Sequence, residues 1–179
     1  HRGDAGGCWP DPDEASVDHG LRKFSVFGQK AIARVDRVCS GAYRSGDNLL
    51  PIPLYRLPTT FNGDHKRIIR WQSEWQACDE LQMAAATKAE FAALEELSSP
   101  DSDLFRRGWD LRGRIEYLTQ IPTYYYLYRV GGQDLATEKT RPCPRCGSHD
   151  WKLDEPLLDM FHFRCEPCRI VSNLSWDHQ

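Results

Sequence analysis

Two Cys-x-x-Cys pairs close to the C-terminus, Cys143-Pro144-Arg145-Cys146 and Cys165-Glu166-Pro167-Cys168, constrain this chain more than any other feature. Cysteines two residues apart present both sulfurs to one centre from a tight turn. Two such turns complete a tetrahedral four-thiolate shell, with bonds of about 2.3 Å for zinc. Gly147 suits the position after the second ligand, where the turn favours positive φ. Trp151 to Leu153, Met160 to Arg164 and Ile170 to Trp176 read as three short strands around the pairs, so residues 143–179 are expected to form a small all-β zinc ribbon. A unit this small cannot hold itself together by burial alone, and structural zinc supplies roughly 10 to 16 kcal/mol in finger peptides.

The expected cofactor is therefore one structural Zn2+ on Cys143, Cys146, Cys165 and Cys168. Four thiolates close the shell and leave no position for water or substrate, so the metal is expected to stabilise structure without performing chemistry. Iron could occupy the same sulfurs, and Cys143 with Cys146 could form a lone redox pair, although that leaves the second pair unexplained. Seven cysteines make an odd total, which suits metal ligation in a reducing compartment better than a full disulfide framework. A cytoplasmic location is expected on that ground. The longest uncharged stretch, Tyr117 to Tyr128, is too short to cross a bilayer and contains Pro122, so no membrane span is expected.

The fold class expected is α+β, a helical body with a short aromatic-rich sheet and the ribbon at its end. Residues 1–20 hold five carboxylates, four glycines and two prolines, a composition that reads as a flexible arm. Residues 21–130 form the body. Leu21 to Val38 offers a pair of strands around Gly28, and Pro51, Pro53 and Pro58 keep the next stretch out of helix. A helix from about His65 to Met83, with Asp64 as N-cap, carries Trp71, Trp75, Cys78, Leu81 and Gln82 at helical spacing. Thr87 and Glu90 form a capping box before a helix to Leu97. Pro100 opens a third helix to about Leu118, striped by Leu104, Gly108, Leu111, Ile115 and Leu118. Asp103 and Asp110, four residues before Arg107 and Arg114, suggest a solvated salt-paired face that also holds Arg106 and Arg112. Thr123 to Val130 reads as a strand, and Gly131 to Pro142 as a linker.

Enzymatic patterns fail. Pro142-Cys143-x-x-Cys146 matches half of a zinc-deaminase signature, but no His-x-Glu precedes it. No His-Glu-x-x-His or Walker-type phosphate loop occurs. Cys39, His65 and Asp64 assemble into a nucleophile, base and orienter only on paper. The chain is expected not to be an enzyme.

A net charge of −3 argues against coating by nucleic acid, so any such contact must be local. Residues 141–179 carry five Lys and Arg against six Asp and Glu, and a zinc tetrathiolate adds two further negative charges. Arg141, Arg145 and Arg169 nevertheless gather at the metal end, while Asp154, Glu155 and Asp159 collect at the far hairpin tip. Those arginines are candidates for phosphate or acidic-protein contact, or they merely offset the thiolate charge. Tyr124, Tyr126 and Tyr128 share one face of the aromatic strand, available either to stack on unpaired bases or to form core.

The run PIPLYRLP, then NGDHK, the W-x-x-x-W-Q-A-C-D-x-L-Q-M helix, LFRRGWDL, RIEYLTQIPTYYYLYRVGG, both knuckles and RIVSNLSWD closely resemble an uncharacterised bacterial family described as zinc-ribbon-containing, for which nucleic-acid binding has been suggested. The likeness runs from about Cys39 to the C-terminus. It implies metal ligation by the four ribbon cysteines and implies no catalytic residue. Two functions follow as expectations: RNA or single-stranded nucleic-acid contact through Arg141, Arg145, Arg169 and the tyrosine strand, or a protein–protein adaptor with a purely structural ribbon.

Overall fold

A computed structural model describes residues 25–27, 43–45, 50, 52–59, 63–84 and 86–175. The expected arm at 1–20, Gly28 and Cys39 lie outside these residues.

Three helices build the body. In α1 (Lys66–Ala84), Asp64 accepts the Lys66 backbone N–H at 3.0 Å, and Ile68, Trp71 and Trp75 turn inward. Cys78 is half-buried, while Leu81, expected on the same face, is exposed. In α2 (Glu90–Ser98) the expected capping box does not form. The Thr87 hydroxyl accepts from Ala89 N–H at 3.3 Å, and Ala89 occupies the cap position with no side chain able to accept a bond. In α3 (Asp103–Thr119) the cap is Ser102 rather than Pro100. Its hydroxyl accepts the Phe105 N–H at 3.0 Å and donates to the Glu96 carbonyl at 2.8 Å, satisfying a donor that proline leaves orphaned.

The inward stripe of α3 runs through Leu104, Gly108, Leu111 and Ile115 as expected but stops short of Leu118, which is exposed, and Phe105 and Arg112 are also buried. Gly108 is where α3 meets α1. A Cβ there would fall 2.6 Å from the Trp71 ring and from Tyr125, and Trp71 Nε1 donates to the Leu104 carbonyl at 2.9 Å beside it. The charges of α3 pair differently from the expected spacing. Asp103 takes Arg106, Arg107 crosses to Glu74 on α1, and Arg112 is buried against Glu116 and the Thr123 carbonyl.

Among the described residues the strands form one six-stranded sheet. Its members are β1 (Ser25–Phe27), β2 (Tyr43–Ser45), β3 (Thr123–Leu127), β4 (Lys152–Leu157), β5 (Phe161–Cys165) and β6 (Ile170–Ser172), ordered β2-β1-β3-β6-β5-β4. β1 pairs antiparallel with β2, which lies beyond the expected partner segment ending at Val38. The ribbon is β4, β5 and β6, joined antiparallel. It does not stand apart from the body, because β6 pairs in parallel with β3 in the register Tyr125 to Ile170 and Leu127 to Ser172.

The expected linker also contains structure. α4 (Leu135–Thr140) starts at Asp134, whose carboxylate accepts the Thr137 N–H at 2.8 Å. It buries Glu138, 2% exposed, against both Arg129 and Arg141. The α+β class expected from the sequence holds.

Candidate metal centre

The two knuckles are built by local backbone geometry. In the first, Cys143 N–H donates to the Ser148 carbonyl and Gly147 N–H donates to the Cys143 carbonyl, both at 2.8 Å, with Gly147 at φ +72°. In the second, Arg169 holds the equivalent place after Cys168 at φ +52°, a conformation that L side chains rarely adopt. Its N–H donates to the Glu166 carbonyl at 3.3 Å.

β5 delivers Cys165, the turn before β6 delivers Cys168, and the turn at 144–146 with the residue before it delivers the first pair. The sulfurs of Cys143, Cys146, Cys165 and Cys168 lie within 4.8 Å of one another, so the cluster could hold a metal ion. Cys146 Sγ and Cys165 Sγ are 3.6 Å apart. A tetrahedron with bonds of about 2.3 Å has edges of about 3.8 Å, so the donor set fits such an ion. Three of the four cysteines are buried and Cys146 is exposed. Burial pushes the Cys165 thiol up and the Cys168 thiol up to about 11. The Ser148 backbone N–H draws Cys146 down to about 7. A cation among the four sulfurs would favour their thiolate forms.

Around the cluster, α3 holds both knuckles through one residue. Trp109 Nε1 donates to the Cys168 carbonyl at 3.0 Å, and the Arg145 guanidinium lies 3.8 Å from the centroid of the same ring. Sequence reasoning did not single out Trp109. A signal was present, since this tryptophan falls off the buried stripe of its own helix, as a residue serving a second packing surface would.

The arginines expected to face a partner are largely occupied within the chain. Arg141 is tied to Glu138 at 2.7 Å, donates to Ser172 Oγ at 2.9 Å and to the Asn173 carbonyl at 3.1 Å, and covers the rings of Trp151 and Phe163. Arg169 bonds Glu116 at 3.0 Å and Glu166 at 2.6 Å. Arg145 is exposed but lies on Trp109.

The tyrosines expected as a base-stacking face are core instead. Tyr124, Tyr126 and Tyr128 are all buried, because β3 is flanked by β1 and β6 and packed by α3. Tyr124 donates to Glu166 and Tyr126 to Asn173, and Tyr126 meets Phe161 edge-on, leaving no ring face for a base. Of the three groups weighed as a catalytic set, His65 Nε2 lies 3.1 Å from the Leu57 carbonyl, Asp64 faces Lys66, and Cys39 is outside the described residues. No helix among the described residues is long and apolar enough to cross a membrane.

Comparison with known proteins places the chain among uncharacterised relatives. A family model described as a domain of unknown function (DUF2310) matches residues 32–128, and a second domain of unknown function (DUF8594) matches residues 132–178. Two uncharacterized proteins of Haemophilus influenzae are each 50% identical to the chain over 133 residues, 74% of its length. The match covers 64% of one relative and 50% of the other, so the chain spans less than two-thirds of either. No solved structure matches. The chain belongs to the DUF2310 family, and the four-cysteine cluster lies within the residues that match the second model.

Proposed function

We propose that the four cysteines hold one structural zinc ion, and that the chain is a non-catalytic binding module whose first knuckle and α3 together form a docking face for a partner protein. The clasp at Trp109 carries this reading, because it makes the knuckles and the helical body one surface. An all-sulfur donor set suits zinc, and a closed shell gives the ion a structural task. Beside the clasp lies an open cleft of about 410 Å³ between α3 and the first knuckle. Trp109 and Pro144 line it together with Asp101, Asp110, Arg106 and Arg145. Two carboxylates among two guanidiniums suit a polypeptide of mixed charge better than a polyphosphate, which the carboxylates repel.

The second reading is contact with RNA or single-stranded nucleic acid through Arg145, the exposed member of the three metal-end arginines. One experiment separates the two. The purified chain is assayed for metal content, then used to capture partners from its native extract, with protein and RNA both identified, alongside Arg145→Ala and Pro144→Glu variants. One zinc per chain and a defined protein partner lost in Pro144→Glu support the docking reading. Salt-sensitive RNA retention lost in Arg145→Ala supports the second. Chain purified under reducing conditions without metal refutes the zinc assignment.

A further inference from the structure

The four clustered cysteines differ in access. Cys143 and Cys165 are 1% exposed and Cys168 is 6% exposed, whereas Cys146 opens to solvent. The turn lifts it outward: Pro144, Arg145, Cys146 and Gly147 are all exposed, while Cys143 stays buried with its N–H on the Ser148 carbonyl at 2.8 Å. The Cys165 sulfur lies 3.6 Å from that of Cys146. Cys165 ends β5 and stands opposite Ile170 of β6, so the sheet fixes the backbone behind it. One reachable sulfur of the first knuckle therefore touches one covered sulfur of the second.

A sulfur that ligates a cation stays deprotonated, and the thiolate is the form that peroxides oxidise. On the zinc reading all four ligands share that charge state, so access is what separates them. Cys78, the remaining described cysteine, lies outside the cluster and is half-buried, and burial pushes its thiol up. A neutral, partly covered thiol reacts slowly with peroxide.

We propose that Cys146 is the peroxide-sensitive residue of the cluster and that Cys165 resolves it, so that oxidation joins the two knuckles by a disulfide and expels the ion. The inference rests on the zinc reading for what is expelled, and on sulfur access and spacing for which residues react. In the first step the Cys146 thiolate attacks one oxygen of hydrogen peroxide. An S–O bond forms, the O–O bond breaks and hydroxide leaves, giving Cys146 sulfenic acid. In the second step the Cys165 thiolate attacks that sulfur. An S–S bond forms, the S–O bond breaks and a second hydroxide leaves, so the peroxide has gained the two electrons that the two thiolates lost. Cys143 and Cys168 alone then remain as donors, half of a tetrahedral shell. A dithiol reductant reverses the change by exchange, returning both thiolates and becoming a disulfide itself.

The test uses the full chain carrying Cys8→Ser and Cys39→Ser, two positions outside the described residues. Metal content is measured first. Hydrogen peroxide is then added, released zinc is followed with a chromogenic chelator, and oxidised sulfurs are mapped by mass spectrometry with a sulfenic-acid trap. Trypsin cuts after Arg145 and so separates Cys143 from Cys146, and fragmentation of the 165–169 peptide tells Cys165 from Cys168. The expected result is trap on Cys146, then a Cys146 to Cys165 crosslink, with zinc released in step and rebound after reduction. Cys146→His keeps a metal ligand without an oxidisable sulfur, and is expected to release zinc at least about tenfold more slowly, whereas Cys143→His keeps the parent rate. The map on the parent chain decides the assignment even where Cys146→His holds no zinc. First oxidation at Cys143, Cys165 or Cys168, or a crosslink between any other pair, overturns the proposal. A chain that purifies without metal refutes the zinc reading alone, because the crosslink is mapped with or without the ion.

Discussion

Trp109 donates its indole N–H to the carbonyl of Cys168 at 3.0 Å, joining α3 to the second knuckle across 59 residues of sequence. The Arg145 guanidinium on the same ring brings in the first knuckle. Trp109→Phe keeps an aromatic face and removes the donor. The expected cost is about 1 to 2 kcal/mol, from one lost hydrogen bond and a weaker cation–π contact. Urea unfolding measures it, and if the proposed zinc is bound, its release to a chelator is expected to speed up.

If the four cysteines hold the proposed zinc, removing it is expected to reach beyond strands β4 to β6. β6 leaves the second knuckle and pairs with β3, so β3 depends on the geometry at Cys165 and Cys168. On that reading, chelation or Cys165→Ser is expected to abolish stoichiometric zinc. It should also lower hydrogen-exchange protection at Tyr125 and Leu127, while amides in the middle of α1 stay protected. Unchanged protection at β3 would show that the sheet does not need the ion.

Two glycines of α3 are expected to respond with opposite sign. A Cβ at Gly108 meets the Trp71 and Tyr125 rings at 2.6 Å, whereas one at Gly113 meets nothing within 4 Å. Gly108→Ala should destabilise by about 1 to 3 kcal/mol through overpacking. Gly113→Ala should stabilise by about 0.5 to 1 kcal/mol through helix propensity. Thermal melts of the two variants beside the parent chain test the pair.

Glu138 neutralises Arg141 inside the protein, where the two side chains are 2% and 12% exposed. Glu138→Gln removes the charge at nearly constant shape and leaves the guanidinium buried without its anion. A loss of about 3 to 5 kcal/mol is expected, as for other buried pairs broken on one side. The double variant Glu138→Gln, Arg141→Met should recover part of it in equilibrium unfolding, because no uncompensated charge then remains inside.

What could be read from residue order was what depends on neighbours in the chain. The cysteine spacing that brings four sulfurs together, the positive-φ glycine after the first pair, the α3 stripe up to Ile115 and the approximate extents of α1 and α3 are all set within a few residues, so spacing and local stereochemistry sufficed. Caps were less legible. Ser102 and Pro100 both suit a helix start, and the choice fell to Ser102 because its hydroxyl also finds the Glu96 carbonyl on α2.

Tertiary structure decided the rest. Alternation along Thr123 to Val130 separates two faces of a strand but cannot say whether either faces water. Placement of β3 between β1 and β6, under α3, buries both and turns three candidate base-stacking tyrosines into core. Positive charge at the metal end was visible in the sequence, but its partners were not, because Glu116, Glu138 and Trp109 come from α3 and α4. Burial and ion pairing are sums over contacts far apart along the chain, and those contacts exist only once the ribbon has joined the body's sheet.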